Sequence, residues 1–333
     1  MASLRQGFTP HPLLRGPHRQ TLAARFLRPE AGVSFRREVW GTPDGDAVEM
    51  DFADVDGAEW SRLGDLAPVG LVLHGLEGSA RSGYAHQAYK EFARRGLRPV
   101  GMNFRTCGGR MPNVKRAYHA GETDDPRWVV GRLKERFPHV PLVAVGFSLG
   151  GNVLLKLLGE WGKDSLLSAG ATVSAPHDLS LSVRRLERGF SRVYSSHLRR
   201  LMQRKLRERA DELADHANIK EAMRARSLRE LDEHLTAPLH GFAGAEDYYA
   251  RSSSLGYLPR VAVPTLIVRA KDDPFLDPGD IPYEALAGHP YLRADITSRG
   301  GHVGFVGRCP SGELSWWAEE KVGSFLAEQI GSG

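Results

Sequence analysis

From residue 69 onward, hydrophobic positions alternate between two periods. Val69-Gly70-Leu71-Val72-Leu73 and Leu142-Val143-Ala144-Val145 are short, unbroken apolar runs. Runs of this length bounded by turn residues predict strands buried on both faces. Gly151-Asn152-Val153-Leu154-Leu155-Lys156-Leu157-Leu158 places its polar residues four apart and predicts an amphipathic helix leaving the second strand. Residues 169–174, 263–270 and 292–297 repeat the strand pattern, and the chain closes in a helix. Ahead of this series, 36–40 and 47–53 read as an antiparallel pair joined by Pro43-Asp44-Gly45. Thr123-Asp124-Asp125-Pro126 carries helix-start signals, with Asp124 and Asp125 read as capping residues. Strands alternating with helices predict an α/β fold: a mostly parallel central sheet with helices on both faces.

The alternation stops after residue 174. Residues 178–249 read as helical throughout and predict a cap inserted over the mouth of a core made of 1–177 and 250–333. Residues 1–30 read as an irregular basic arm that packs near Pro17-His18.

Chemistry enters at Gly146-Phe147-Ser148-Leu149-Gly150, between predicted strand and helix. A turn this sharp crowds the nucleophile's backbone, so glycine is needed two residues before and after the serine. Ser148 is therefore the candidate nucleophile. Its partners should follow as acid, then histidine. Asp272 and Asp273 both stand just past the strand at 263–270, ahead of Pro274, where aspartate is also common turn chemistry. Ser298-Arg299-Gly300-Gly301-His302 follows the last strand, which makes His302 the candidate base. The oxyanion donors expected here are the amide after the nucleophile, Leu149, and one in the loop after an early strand, Leu76 in His74-Gly75-Leu76-Glu77-Gly78-Ser79. A phosphate loop is disfavoured, because neither G-x-x-x-x-G-K-[ST] nor a helix-opening G-x-G-x-x-G occurs here.

Several motifs resemble the YheT-like branch of the α/β-hydrolases, bacterial relatives of the eukaryotic AB-hydrolase-domain (ABHD) lipases and esterases. They are Pro17-His18-Arg19-Gln20-Thr21, His74-Gly75-Leu76-Glu77-Gly78-Ser79, Asn103-Phe104-Arg105, and Tyr118-His119-Ala120-Gly121-Glu122-Thr123-Asp124-Asp125. Gly146-Phe147-Ser148-Leu149-Gly150-Gly151-Asn152, Lys271-Asp272-Asp273-Pro274-Phe275 and Gly300-Gly301-His302-Val303-Gly304-Phe305 complete the set. The resemblance runs essentially end to end. It implies the α/β-hydrolase fold, Asp273 as the acid, and carboxylic ester substrates: short- to medium-chain acyl esters or monoacylglycerol-like lipids. Two departures stand out. Such relatives often carry Asn where this chain has Gly16, and glycine where it has Thr106.

Composition fits a compact enzyme: 333 residues, 41% of them hydrophobic, suffice for one large core with an insertion. Cys107 and Cys309 form no disulfide framework or metal-site spacing, and the chemistry requires no metal or organic cofactor. Met1 to Gly7 lack the apolar stretch of a leader segment, and no apolar run approaches the roughly 20 residues of a spanning helix. The expectation is a soluble, cytoplasmic protein. Within 178–229, fourteen Lys and Arg stand against seven Asp and Glu. That makes the cap a candidate for transient contact with an anionic membrane surface or acidic substrate, set against a simply solvated face. Aromatics are not interleaved with these charges, so nucleic acid is not an expected partner, and no obligate protein partner is evident. The readings are a serine hydrolase acting on small-molecule acyl esters, an acyltransferase passing the acyl group to an alcohol, and a non-catalytic binding module. Only the first two need the full set of triad and oxyanion elements.

Overall fold

The computed structural model describes residues 7–309 and 311–331. The reading of Met1 to Gly7 as free of a leader falls, but for Gly7, outside those residues.

Eight strands form one sheet: β1 (Val33–Gly41), β2 (Ala47–Val55), β3 (Val69–Leu73), β4 (Arg98–Asn103), β5 (Leu142–Phe147), β6 (Ala169–Val173), β7 (Thr265–Ala270) and β8 (Leu292–Thr297). Their spatial order is β1-β2-β4-β3-β5-β6-β7-β8. β1 and β2 are antiparallel to their neighbours, and the other strands pair in parallel. Alternate residues of the buried strands serve opposite faces. Leu71, Leu73, Ala144 and Ile267 join one apolar cluster with the helix Leu149–Trp161. Val72, Val143, Val145 and Val268 join the other, under the helices Gly83–Arg94 and Trp317–Gln329. The sheet is thus covered on both faces, as the apolar runs require.

β3 pairs with β4 on one side and β5 on the other, so the connection after β3 runs one way, to β4, and that after β5 runs the other, to β6. The crevice outside the carboxyl ends of strands at such a reversal is where α/β sheets bind ligands. The loop after β3 and the turn after β5 meet there.

Between β6 and β7 the described chain is helical, with no strand. Its longest helix is Ser191–Glu208. Leu206, Leu213, Ala222, Ala225, Leu231 and Leu235 form a small apolar cluster of their own. The helix Ala245–Ser252 packs Ala245, Tyr248 and Tyr249 into the main core, so a boundary at 249/250 falls inside it.

Two sequence readings need correction, and one strand, β4, carried no signal of its own. The arm is not irregular: Pro17–Leu27 is a helix with proline in its first turn, where its fixed φ and missing N–H are tolerated. β4 lacks a strand signature because Pro99 and Gly101 interrupt its pattern, yet all six residues are buried. Asp125 is more than a cap: its carboxylate takes two hydrogen bonds from buried Arg105, both at 2.7 Å. The first-turn amides of Asp124 and Asp125 donate instead to Glu122.

Candidate active site

Ser148 sits between β5 and its helix with φ 51° and ψ −120°. A non-glycine residue there costs about 1–3 kcal/mol, which the surroundings must impose. They do so by close contact. A Cβ on Gly146 would lie 2.3 Å from the Gly150 carbonyl oxygen, and one on Gly150 would lie 2.4 Å from that of Leu73. The Ser148 amide donates to Val173 of β6 at 2.9 Å, which fixes the turn to the sheet.

The carboxyl edge of the sheet collects such strain. Among the described residues, the non-glycines with positive φ are Glu77, Thr106, Ser148, Ser174, Val303 and Phe305. They follow β3, β4, β5, β6 and β8. Thr106 has φ 72°, the conformation glycine adopts freely. Its departure from the family pattern therefore has a backbone cost.

Ser148, His302 and Asp273 come together. His302 Nε2 lies 2.9 Å from Ser148 Oγ, and His302 Nδ1 lies 2.9 and 3.1 Å from the two Asp273 oxygens. A carboxylate only accepts, so Nδ1 carries the proton and Nε2 is free to accept from the serine hydroxyl. Asp273 is buried, and its Oδ1 also accepts from the Phe275 amide at 2.8 Å. The Phe275 ring lies parallel to the imidazole, centroids 4.0 Å apart. Asp272 does not touch His302. Its Oδ1 accepts from the Gly301 amide at 2.9 Å, and burial pushes its carboxyl above the usual range. The neighbouring acids thus divide: one faces the imidazole, the other ties down the loop that carries it.

On the other side of Ser148, a Cβ on Gly75 would lie 3.1 Å from Ser148 Cβ, so the loop after β3 touches the elbow. The Gly75 amide donates to the Tyr84 hydroxyl at 2.9 Å, and the Glu77 amide to the Tyr118 hydroxyl at 2.8 Å. Between them, the Leu76 amide has no protein acceptor among the described residues. Neither does the Leu149 amide, which opens a helix where donors lack intrahelical partners. His74 is fully buried: its Nδ1–H donates to the Gly75 carbonyl at 2.7 Å, and Nε2 accepts from the Phe104 amide at 3.1 Å. Burial lowers its pKa to about 4, so it stays neutral near pH 7. Lys205, from the helix Ser191–Glu208, pairs with Glu77 at 2.9 Å and reaches Cys107 Sγ at 3.4 Å.

A narrow crevice, with room of about 60 Å³, opens beside this loop, lined by Glu77, Tyr118 and Lys205 and by apolar Met202, Leu206 and Leu235. It approaches the serine through Glu77 rather than bordering it.

Thr21, Tyr84, Ser174 and Lys205 carry no functional signal in the sequence. Thr21 was visible only as part of a motif without a role. Tyr84 and Lys205 act through the contacts above, and the Ser174 hydroxyl accepts from the Val303 amide at 3.0 Å; no local spacing encodes these.

Compared with known proteins, residues 69–295 match the family described as alpha/beta hydrolase fold. The Escherichia coli protein YheT, named as a candidate esterase, is 39% identical over 324 residues, covering 94% of this chain and 91% of that protein. Phospholipase ABHD3 of Mus musculus is 29% identical, covering 86% of this chain and 70% of that one. Among solved structures, an esterase of Pyrococcus furiosus superposes with a TM-score of 0.57 at 16% identity, covering 89% of this chain and 92% of the other. No helix among the described residues is long and apolar enough to cross a membrane. With its elbow, its sheet order and these likenesses, the chain belongs to the α/β-hydrolase fold family, in the YheT-like branch.

Proposed function

We propose that this protein hydrolyses carboxylic esters through an acyl-Ser148 intermediate. The observation that carries the reading is the continuous chain Ser148 Oγ–His302 Nε2/Nδ1–Asp273 beside two unengaged amides. Ser148 Oγ attacks the acyl carbonyl carbon while its proton passes to His302 Nε2, and Asp273 stabilises the imidazolium. The carbonyl oxygen takes up the displaced electron pair and is held by the Leu76 and Leu149 amides. Collapse expels the alcohol oxygen, which takes the proton back from His302. Water then repeats the sequence on the acyl-serine and releases the acid. No step requires a metal or organic cofactor.

The substrate is a small-molecule ester, of short- to medium-chain acyl type or monoacylglycerol-like. The apolar crevice that approaches through Glu77 supports this, as do relatives named as an esterase and a phospholipase. The helices between β6 and the helix Ala245–Ser252 form a cap over the mouth, and the rest of the chain forms the core. The separate apolar cluster within 178–249 supports that division.

A series of chromogenic esters of increasing acyl length tests the reading. Wild type should hydrolyse short and medium chains, and Ser148→Ala should lose about 10⁴–10⁶ in rate while unfolding at an unchanged temperature. Equal rates from folded Ser148→Ala would remove Ser148 from the chemistry.

A further inference from the structure

The motif Pro17-His18-Arg19-Gln20-Thr21 contributes no group to the reaction, yet it lies against the loop that carries His302. The Thr21 hydroxyl donates to the Pro17 carbonyl of its own helix at 2.9 Å. That spends its single proton and leaves its lone pairs outward, where the His302 amide donates to them at 2.9 Å. Fully buried Gln20 satisfies both backbone groups of Val306. Its Oε1 accepts from the Val306 amide at 2.6 Å, and its Nε2 donates to the Val306 carbonyl at 3.0 Å. Arg28, just past the helix, donates to the Val303 carbonyl at 2.7 Å and pairs with buried Glu319. The two backbones are in contact: a Cβ on Gly301 would lie 2.5 Å from the Pro17 carbonyl oxygen.

These contacts fall on a segment that does not hold its shape by local preference. Val303 and Phe305 have φ of 49° and 46°, and Gly301 has 62°. Left-handed residues this close together relax unless their surroundings over-determine them. We propose that the N-terminal helix is the splint for the general base, with Thr21 as the positioning residue for His302 and Gln20 and Arg28 fixing the loop beyond it. This rests on His302 being the base. Thr21 acts on the main chain, not on substrate. Its loss lets the imidazole drift from the line between Ser148 and Asp273, and misplacement of about 1 Å can cost about 100-fold in rate.

The test compares Thr21→Val, which keeps the shape and removes the acceptor, with Thr21→Ser, which keeps the acceptor. Using a short chromogenic ester below each variant's unfolding temperature, Thr21→Val should lower kcat about 10–100-fold with KM within about twofold. Labelling of Ser148 by a fluorophosphonate should slow in parallel, and Thr21→Ser should recover most of both. Should Thr21→Val fail to fold, Thr21→Ala against Thr21→Ser reads the same hydroxyl. Wild-type kcat in a folded, hydroxyl-free variant, with only its melting temperature lowered, would overturn the proposal and leave Thr21 a structural contact. If Ser148→Ala also kept full activity, the serine-hydrolase reading itself would be at fault.

Discussion

The two loops flanking Ser148 are both strained, and they are held by different means. Among the described residues, the side chains that bond to the main chain of the His302 loop lie outside the helical insertion, chief among them Thr21, Gln20, Arg28, Asp272 and Ser174. The Gly75–Glu77 loop is held by Tyr84, Tyr118 and buried, neutral His74, and its Glu77 carboxylate is paired with Lys205 of the insertion. The loop carrying the base is therefore anchored in the core. The insertion reaches this side at the acid loop, where the Ser191 hydroxyl donates to the Pro274 carbonyl and Tyr194 packs on Phe275, and at His18 of the N-terminal helix. The oxyanion side is coupled to whatever the insertion does and to the protonation of one histidine. On this reading, substrate selection and acid sensitivity belong to the oxyanion side, while proton transfer belongs to the base side.

The largest effect should come from the acids on the base side. Asp273→Asn should lower kcat by about 10⁴, because the amide favours the wrong imidazole tautomer and cannot stabilise the imidazolium. Asp272→Asn keeps an oxygen to accept from Gly301 and should lose less than about tenfold. Steady-state kinetics on both variants checks the ranking, and the reverse order would make Asp272 the acid.

A smaller effect should follow on the other side. Met202 lines the crevice that Glu77 and Lys205 border. Met202→Trp should shift preference toward shorter acyl chains by about 10–200-fold in kcat/KM, the range that methylene-sized fits in apolar pockets command. It should leave labelling by a small fluorophosphonate nearly unchanged. An unaltered chain-length profile in the folded variant would separate the insertion from selectivity.

The last is an effect of pH on stability rather than on rate. Burial lowers the pKa of His74 to about 4, and of His119 and His240 to about 3. Unfolded histidine binds its proton near 6.5, so between that value and these the unfolded state binds more protons and stability falls as pH falls. Each group contributes about 1.4 kcal/mol per pH unit inside its window. Buried Glu319 and Asp232, whose carboxyls are raised to about 7 and about 6, take up protons in the folded state and oppose this, so urea midpoints should drop between pH 7 and pH 5 by less than the histidines alone would give. In Glu319→Gln and Asp232→Asn variants that fold, the drop should deepen, and a midpoint that rises even there would mean that these rings are charged in the folded protein.

How legible this was in the sequence depended on how local each feature is. The elbow was readable because its glycines, serine, preceding strand and following helix are consecutive. β4 was not, because its burial comes from neighbours on both sides while Pro99 and Gly101 erase the apolar run. The split between Asp272 and Asp273 was left open by spacing alone and turns on which carboxylate faces the imidazole, a matter of one residue along the backbone. Thr21 was out of reach for another reason: the amide it accepts from belongs to His302, at the far end of the chain. Its helix was within reach, since proline at the first position is a start signal, but the basic composition of the arm obscured it.

All of this turns on Ser148 being a nucleophile activated by His302. Intact-mass and peptide mapping after exposure to a fluorophosphonate reads that chemistry at the residue itself. One adduct per chain is expected, on the peptide carrying Ser148, absent from Ser148→Ala and slowed many-fold in His302→Ala. An adduct that forms equally well in folded Ser148→Ala, or at the wild-type rate without His302, would contradict it.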